Sequence, residues 1–211
     1  MSCPLCLDTN HSLFYEDKAR TYYQCGNCFL IFVPPKFWTS QVEEKEIYDL
    51  HQNSPLDLGY RKFLSRLFDP LVKKLTPNSK GLDFGCGNGP TLSVMLEEKG
   101  HSVELFDLYY ANDLKVFSKK YDFIVATEVI EHLGNPNQEI TRLISLLRPE
   151  GLLGVMTKLA RDQSAFSTWH YKNDITHICF YSVKTFEWIA KHWSMEIEFV
   201  GNDVVILKAC T

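Results

Sequence analysis

The strongest constraint on the fold is a run of ten residues at 81–90, which reads GLDFGCGNGP. An apolar segment ends near an acidic residue, three glycines follow at alternate positions, and a helical pattern begins directly after them. Glycine allows sharp backbone turns and lets a ligand approach the main chain without a Cβ in the way. The run therefore predicts a strand, a tight loop and a helix, with a nucleotide-like cofactor over the loop.

Strand and helix patterns alternate from residue 80 onward, which favours an α/β fold with a doubly wound parallel sheet. A helix over the segment before the first strand carries apolar residues at three- and four-residue steps and should cover one face of the sheet. The last two strands are joined by Gly201-Asn202, which fits a tight hairpin. We expect strands at 81–84, 103–106, 123–126, 152–156, 195–200 and 203–208.

Asp107 ends the second of these strands, about 20 residues after the glycine loop, where an acidic residue can accept hydrogen bonds from ribose hydroxyls. Only 14 residues separate Asp107 from Asp122. That gap is too short for a full helix and a further strand, so we expect the connection to be shortened. Tyr109 and Tyr110 lie in this gap, where they either line an adenine site or pack on the sheet edge.

The segment YDFIVATEVIEHL at 121–133 is the most specific motif of the chain. It resembles S-adenosylmethionine (SAM)-dependent enzymes of the ubiquinone-biosynthesis O-methyltransferase type and also the small-RNA 2′-O-methyltransferases. The resemblance covers about residues 60–211. It implies a Rossmann-like class I methyltransferase fold, in which a mostly parallel seven-stranded sheet has an antiparallel last strand. The SAM-binding residues that it implies are Asp83, Gly85, Cys86, Gly87, Asp107, Leu108 and Thr127.

Acidic and imidazole side chains follow the fourth strand at a helical spacing. Glu128, Glu131 and His132 would share one face of a helical turn, and a histidine suits a general base for a hydroxyl acceptor. In the small-RNA enzymes this grouping, with a later histidine, binds a divalent metal, and His177 would supply that histidine here. We therefore expect catalytic roles for these four residues and weigh a second metal. Alternatively, the glutamates favour a helix N-terminus and His132 packs beside them.

Four of the seven cysteines form two C-x-x-C pairs, Cys3/Cys6 and Cys25/Cys28, separated by 18 residues. This spacing predicts four thiolates around a structural zinc ion in a small ribbon. Roughly 35 residues cannot bury a sufficient core unaided, so the metal would supply folding free energy. Two disulfides or a redox dithiol are the other interpretations of the same spacing.

The chain is expected to divide into a zinc ribbon (1–35), a helical linker and lid (36–77) and a SAM-binding methyltransferase domain (78–211). Tyr48 and His51 in the linker either cover the cofactor or belong to a solvated helix face. The aromatic segment 169–171 either lines a substrate pocket or anchors an exposed loop.

The overall composition favours a small-molecule enzyme. The formal net charge is −4 and there is no long basic run, which disfavours, without excluding, a nucleic-acid acceptor. No segment approaches the roughly 20 apolar residues of a membrane span, and a signal-peptide pattern is absent, so we expect a cytoplasmic protein. The leading hypothesis is methylation of an oxygen or carbon of a small metabolite or glycan precursor. The alternatives are an RNA methyltransferase whose ribbon holds the substrate, or a non-catalytic SAM-binding protein that recruits a partner. The sequence does not indicate the oligomeric state.

Overall fold

The computed structural model describes residues 1–210. The strands within this range are β1 (His11–Glu16), β2 (Thr21–Cys25), β3 (Ile31–Phe32), β4 (Lys80–Phe84), β5 (Ser102–Phe106), β6 (Tyr121–Thr127), β7 (Leu147–Met156), β8 (Cys179–Phe180), β9 (Met195–Val200) and β10 (Val204–Ala209). The α-helices are α1 (Gln41–Asp49), α2 (Leu58–Val72), α3 (Thr91–Glu97), α4 (Pro136–Leu146), α5 (Gln163–Ser167) and α6 (Val183–His192). Short 3₁₀ helices lie at Pro35–Phe37, Leu114–Ser118, Ile130–His132 and His170–Asn173.

The larger sheet has the strand order β5-β4-β6-β7-β10-β9. β4 pairs in parallel with β5 and β6, and β6 pairs in parallel with β7. β10 lies between β7 and β9 and is antiparallel to both. The predicted α/β fold with a mostly parallel sheet and an antiparallel last strand is therefore confirmed.

Within residues 1–210 this sheet has six strands rather than the expected seven. The difference lies in the short connection after Asp107, where the chain forms the 3₁₀ helix Leu114–Ser118 and no additional strand. Phe117 of this helix packs against Phe106 at a ring-centroid distance of 4.6 Å. The connection therefore covers the edge of the sheet with a short helix, as its length requires.

Apolar strand residues face alternately toward two helical layers, because successive side chains of a strand point to opposite faces. Phe123 and Val125 of β6 pack with α2 and α3, whereas Ile124 and Ala126 belong to the cluster that includes α4 and α6. Local caps fix the helix starts: Asn135 caps α4 with Pro136 at its first position, and Ser182 forms a capping box on α6.

The smaller sheet has the order β1-β2-β3-β8. Its first three strands belong to the N-terminal cysteine-containing segment, which we call the ribbon (residues 1–35). Its fourth strand, β8, comes from the segment before α6 and pairs with β3 through Ile31 and Phe32. The ribbon thus shares a sheet and a continuous apolar cluster with the rest of the protein. None of the described helices is long and apolar enough to cross a membrane.

Candidate active site

A cavity of about 490 Å³ lies where β4, β5 and β6 end, the position at which open α/β sheets bind ligands. Its walls include the glycine loop, the ends of β5 and β6 and part of α1. All seven residues predicted to bind the cofactor line it. Of the four predicted catalytic residues, Glu128, His132 and His177 line the cavity and Glu131 lies buried behind them.

The glycine loop forms one end of the cavity, which we call the cofactor half. Gly85 and Gly87 have φ angles of +77° and +64°, a region that favours glycine. A Cβ on Gly85 would lie 2.4 Å from the Val129 side chain, whereas a Cβ on Gly87 would meet no atom within 4 Å. Gly87 therefore leaves open space beside the backbone where a ligand can approach.

Asp83 is buried beneath this loop and accepts a hydrogen bond of 2.7 Å from the Ser93 hydroxyl through Oδ2. Its Oδ1 has no partner among the described residues. Burial, with a contribution from the charge of Asp107, raises the pKa of the Asp83 carboxyl to about 6. Asp83 thus places a buried carboxylate with one unpaired oxygen next to the cofactor half.

Asp107 organises the turn opposite the loop. Oδ2 accepts the Gly87 amide at 3.0 Å, and Oδ1 accepts the amides of Tyr109 and Tyr110 at 2.8 and 3.1 Å. Carboxylate oxygens each offer two acceptor positions, so Oδ2 can still accept a bond from a ligand hydroxyl. Cys86, Leu108 and Thr127 complete this half of the cavity, and burial raises the pKa of the Cys86 thiol to about 12, which keeps it protonated.

Helix α1 forms the roof over the cavity. The Tyr109 hydroxyl donates to Glu44 at 2.6 Å, and the Tyr110 hydroxyl donates to Asp49 at 2.7 Å. Tyr48 of α1 lines the cavity and is half-buried, whereas His51, two residues after the helix, lines the cavity and remains exposed to solvent. The tyrosines after Asp107 thus connect the roof to the cofactor half.

The opposite end of the cavity, which we call the acceptor wall, contains Glu128, Glu131, His132, Tyr171 and His177. Glu128 adopts a φ of +53°, and the following turn is the short 3₁₀ helix Ile130–His132. The expected helical turn with three side chains on one face therefore does not form: Glu131 points into the protein, whereas Glu128 and His132 reach the cavity.

Both histidines have a defined tautomer. His132 Nδ1 lies 3.1 Å from the Thr176 carbonyl, and His177 Nδ1 lies 2.8 Å from the Tyr171 carbonyl. A carbonyl only accepts, so a neutral ring donates through Nδ1 and has its lone pair on Nε2, which in His177 lies 3.7 Å from Asp174 Oδ2. Burial, together with the neighbouring His177, lowers the pKa of His132 to about 3, and burial also lowers the pKa of His177.

Tyr171 joins the two glutamates. Its hydroxyl lies 3.1 Å from Glu128 Oε2 and also contacts Glu131 Oε1. Glu128 Oε1 and Glu131 Oε2 are buried with no partner among the described residues. Burial and the charge of Glu128 raise the pKa of Glu131 to about 8. Tyr171 of the aromatic segment 169–171 is thus a buried part of the acceptor wall and does not itself line the cavity, a position that local sequence does not reveal.

The chain matches a family of known proteins over most of this region. A methyltransferase-domain family model matches residues 56–195. The chain belongs to the class I SAM-dependent methyltransferase family. The matched range includes the glycine loop, Asp107 and the acceptor wall.

Curated relatives are ubiquinone biosynthesis O-methyltransferases. That of Cereibacter sphaeroides is 26% identical over 156 residues, which cover 71% of this chain and 59% of the relative. That of Rickettsia akari is 24% identical over 147 residues, covering 56% of this chain and 54% of the relative. This methyltransferase-family chain thus spans about half the length of these relatives.

Solved structures share the fold. The Burkholderia thailandensis 1,6-didemethyltoxoflavin N1-methyltransferase, with 1,6-didemethyltoxoflavin and S-adenosylhomocysteine (SAH) bound, is 12% identical with a TM-score of 0.51. The match covers 96% of this chain and 100% of the Burkholderia chain. An SAH-bound methyltransferase of calicheamicin biosynthesis is 11% identical with a TM-score of 0.54, over 81% of this chain and 59% of its own. At such identities the likeness concerns the fold alone.

Two groups of side chains in this chain have the composition of metal sites. The ligand atoms of Cys3, Cys6, Cys25 and Cys28 all lie within 4.8 Å of one another, with Cys3–Cys28 and Cys6–Cys25 sulfur separations of 3.4 Å. Tetrahedral zinc with Zn–S bonds of about 2.3 Å needs sulfurs roughly 3.8 Å apart, so this arrangement fits zinc.

The second group consists of Glu131, His132 and His177, whose ligand atoms also lie within 4.8 Å of one another. Glu128, the fourth expected ligand, is outside this set but is linked to Glu131 through Tyr171. One carboxylate oxygen and two imidazole nitrogens suit a divalent transition metal. The backbone carbonyls that bind each Nδ1 hold the rings as outer partners of metal-bound histidines do.

Proposed function

We propose that this protein transfers the methyl group of SAM to an oxygen or carbon of a small metabolite or glycan precursor, with a hydroxyl oxygen favoured. One observation carries the proposal: a single cavity contains both a cofactor cradle and a wall of carboxylate and imidazole groups. Methyl transfer from a sulfonium is an in-line displacement, in which the protein chiefly binds and orients the two reactants.

The cofactor half fits SAM. The Asp83 carboxylate would pair with the ammonium group of the cofactor, which would also offset the cost of burying the carboxylate. Asp107 Oδ2 can accept from a ribose hydroxyl, and the space beside Gly87 allows close approach to the backbone. Tyr109 and Leu108 follow Asp107 and would form the adenine side.

The acceptor wall would hold the acceptor hydroxyl. With pKa values below the usual range, His132 and His177 stay neutral at physiological pH and present Nε2 as acceptor or ligand atoms. We propose that a divalent ion binds at Glu131, His132 and His177, near Glu128. When bound, such an ion lowers the pKa of a coordinated hydroxyl. Without it, a histidine of such low pKa is a weak base, so orientation by hydrogen bonds would carry the chemistry.

The charge of the cavity supports a small acceptor over RNA. The cavity lining includes Glu44, Asp83, Asp107, Glu128 and Asp174, and no lysine or arginine among the described residues. Phosphate recognition in proteins relies on arginine, lysine or exposed backbone amides. We also propose that the four ribbon cysteines hold a structural zinc ion, and that the protein, with its reduced thiolates, acts in the cytoplasm.

The test is transfer of radiolabelled methyl from SAM into fractionated cell extract, with small molecules, RNA and protein counted separately. We expect label in the small-molecule fraction, lost in His132→Gln and retained in His192→Gln, which changes an exposed histidine on α6. Label in RNA would establish the RNA alternative instead. Tight SAM binding without label in any fraction would contradict the enzymatic proposal and favour a SAM-binding recruiter.

A further inference from the structure

The backbone of residues 171–178 separates the ribbon from the cavity. Two of its carbonyls face the acceptor wall: Tyr171 O accepts from His177 Nδ1, and Thr176 O accepts from His132 Nδ1. The Ile178 amide also donates to the Glu131 carbonyl at 2.9 Å. The orientation of both imidazoles therefore depends on where this segment lies.

Four other carbonyls of the segment converge on one ribbon side chain. Arg20 is only 5% exposed, and its guanidinium has five N–H donors in a fixed plane. It forms no ion pair with a carboxylate among residues 1–210. Nε donates to the Tyr22 hydroxyl at 3.2 Å, Nη1 to the carbonyls of Ile175 and His177 at 3.1 and 3.0 Å, and Nη2 to those of Lys172 and Asp174.

A second tie joins the same two regions. Lys172 is 7% exposed, and its ammonium pairs with Asp17 at 2.8 Å. Asp17 also accepts the amides of Ala19 and Arg20 at 2.9 Å, which shapes the turn that presents Arg20. The connection between β1 and β2 therefore contacts residues 171–178 on the side that faces away from the cavity.

We propose that Arg20 is a positioning residue for the acceptor wall, by which the ribbon fixes the backbone of residues 172–177 and thereby the orientation of His132 and His177. The role of these histidines rests on the proposed function, whereas the positioning itself does not. Lysine would keep the charge but, with donors on a single nitrogen, cannot reach four separate carbonyls. Methionine would fill part of the space and leave those buried carbonyls unpaired.

The experiment compares Arg20→Lys and Arg20→Met with Lys18→Met, which changes an exposed residue of the same turn. Amide hydrogen exchange is followed by mass spectrometry in peptides covering 171–178 and 83–89. Imidazole resonances of His132 and His177 are recorded by NMR, and zinc content and SAH affinity are measured for each variant. Methyl transfer into the small-molecule fraction of extract is measured at saturating SAM.

We expect exchange in 171–178 to increase at least tenfold in both Arg20 variants and the two imidazole signals to shift or broaden. Exchange in 83–89, SAH affinity and zinc content should stay within twofold of wild type, and transfer should fall at least tenfold. Unchanged exchange and imidazole signals in both variants would overturn the proposal, as would an equal increase of exchange throughout the chain. Hydrogen exchange and NMR need no methyl acceptor. These two measurements therefore test the positioning role of Arg20 even if the methyl-transfer proposal fails.

Discussion

The cofactor half of the cavity is built by residues close in sequence, whereas the acceptor wall is assembled from distant segments. The glycine loop and the Asp107 turn follow two adjacent parallel strands, and backbone amides of the loop donate to Phe106 and Asp107. The acceptor wall combines the turn after β6 with the segment before β8. The ribbon contacts that segment through Arg20 and through the pairing of β3 with β8. Cofactor affinity and acceptor chemistry should therefore respond separately to substitution.

Loss of the ribbon metal should have the largest effect. We expect one zinc per purified chain and loss of this zinc in Cys28→Ser, because serine supplies no thiolate at this buried position. Metal binding supplies about 10 kcal/mol of folding free energy in small zinc modules. Amide exchange should therefore rise across residues 1–35 and 171–178, with SAH affinity nearly unchanged.

Zinc content by elemental analysis and exchange by mass spectrometry check this prediction, with Cys210→Ser at an exposed cysteine as the control. If Cys28→Ser lost SAH affinity together with amide protection in the ribbon, the cofactor half would depend on the ribbon, contrary to this prediction.

Asp83→Asn should remove most cofactor affinity. The variant loses the charge that would pair with the cofactor ammonium, so we expect SAH to bind about 100-fold more weakly by calorimetry, a loss of about 3 kcal/mol. Asp69→Asn on the exposed side of α2 serves as the control. Unchanged affinity in Asp83→Asn would mean that the cofactor ammonium binds elsewhere.

The same carboxyl should produce a pH dependence in the cofactor-free protein. Its pKa rises from a usual value of 3.8 to about 6 on folding. The unfolded chain therefore releases this proton first, and stability falls as pH increases from about 4 to 6, by about 3 kcal/mol in all. SAH binding should tighten over the same interval. Denaturant unfolding of Asp83→Asn should lack this part of the slope.

Gly87→Ala should have an intermediate effect. Its φ of +64° costs an alanine about 1 kcal/mol, and the added Cβ would enter the open space of the cofactor half. We expect SAH affinity to fall about tenfold. Gly100→Ala is a matched control, since Gly100 has a φ of +85°, equally open surroundings and no contact with the cavity. Similar affinity losses in both variants would indicate backbone strain alone.

Tyr109→Phe should give the smallest effect. The change removes one hydrogen bond between the cofactor half and the roof, worth about 1 kcal/mol. We expect SAH to dissociate about threefold faster in stopped-flow measurements, with the association rate nearly unchanged. A change confined to association would mean that α1 limits entry of the cofactor and does not retain it.

The cofactor half could be predicted from sequence because its signals are local. Glycines at positive φ, an acid about 20 residues later and the Asn135-Pro136 cap each depend on neighbours in the chain. The antiparallel last strand is confirmed for the same reason, since a short turn joins β9 to β10. The strand count differs because a short gap can close as a 3₁₀ helix as well as a strand.

The acceptor wall could be predicted only in part. The motif at 128–132 and His177 could be recognised in the sequence. The inward turn of Glu131, however, follows from the positive φ of Glu128, and a glutamate gives no sequence indication of a positive φ. Tyr171 gave only an aromatic signal, and its contact with both glutamates is tertiary. Arg20 gave no signal, because its partners are backbone carbonyls more than 150 residues away.

The most direct test of the account is a pair of measurements on Glu131→Gln, with Glu187→Gln on the exposed side of α6 as the control. SAH affinity is measured by calorimetry, and methyl transfer is measured with radiolabelled SAM and the small-molecule fraction of extract. We expect SAH affinity within twofold of wild type and at least a 100-fold loss of methyl transfer. Undiminished transfer, or SAH affinity lost in parallel with transfer, would contradict this expectation.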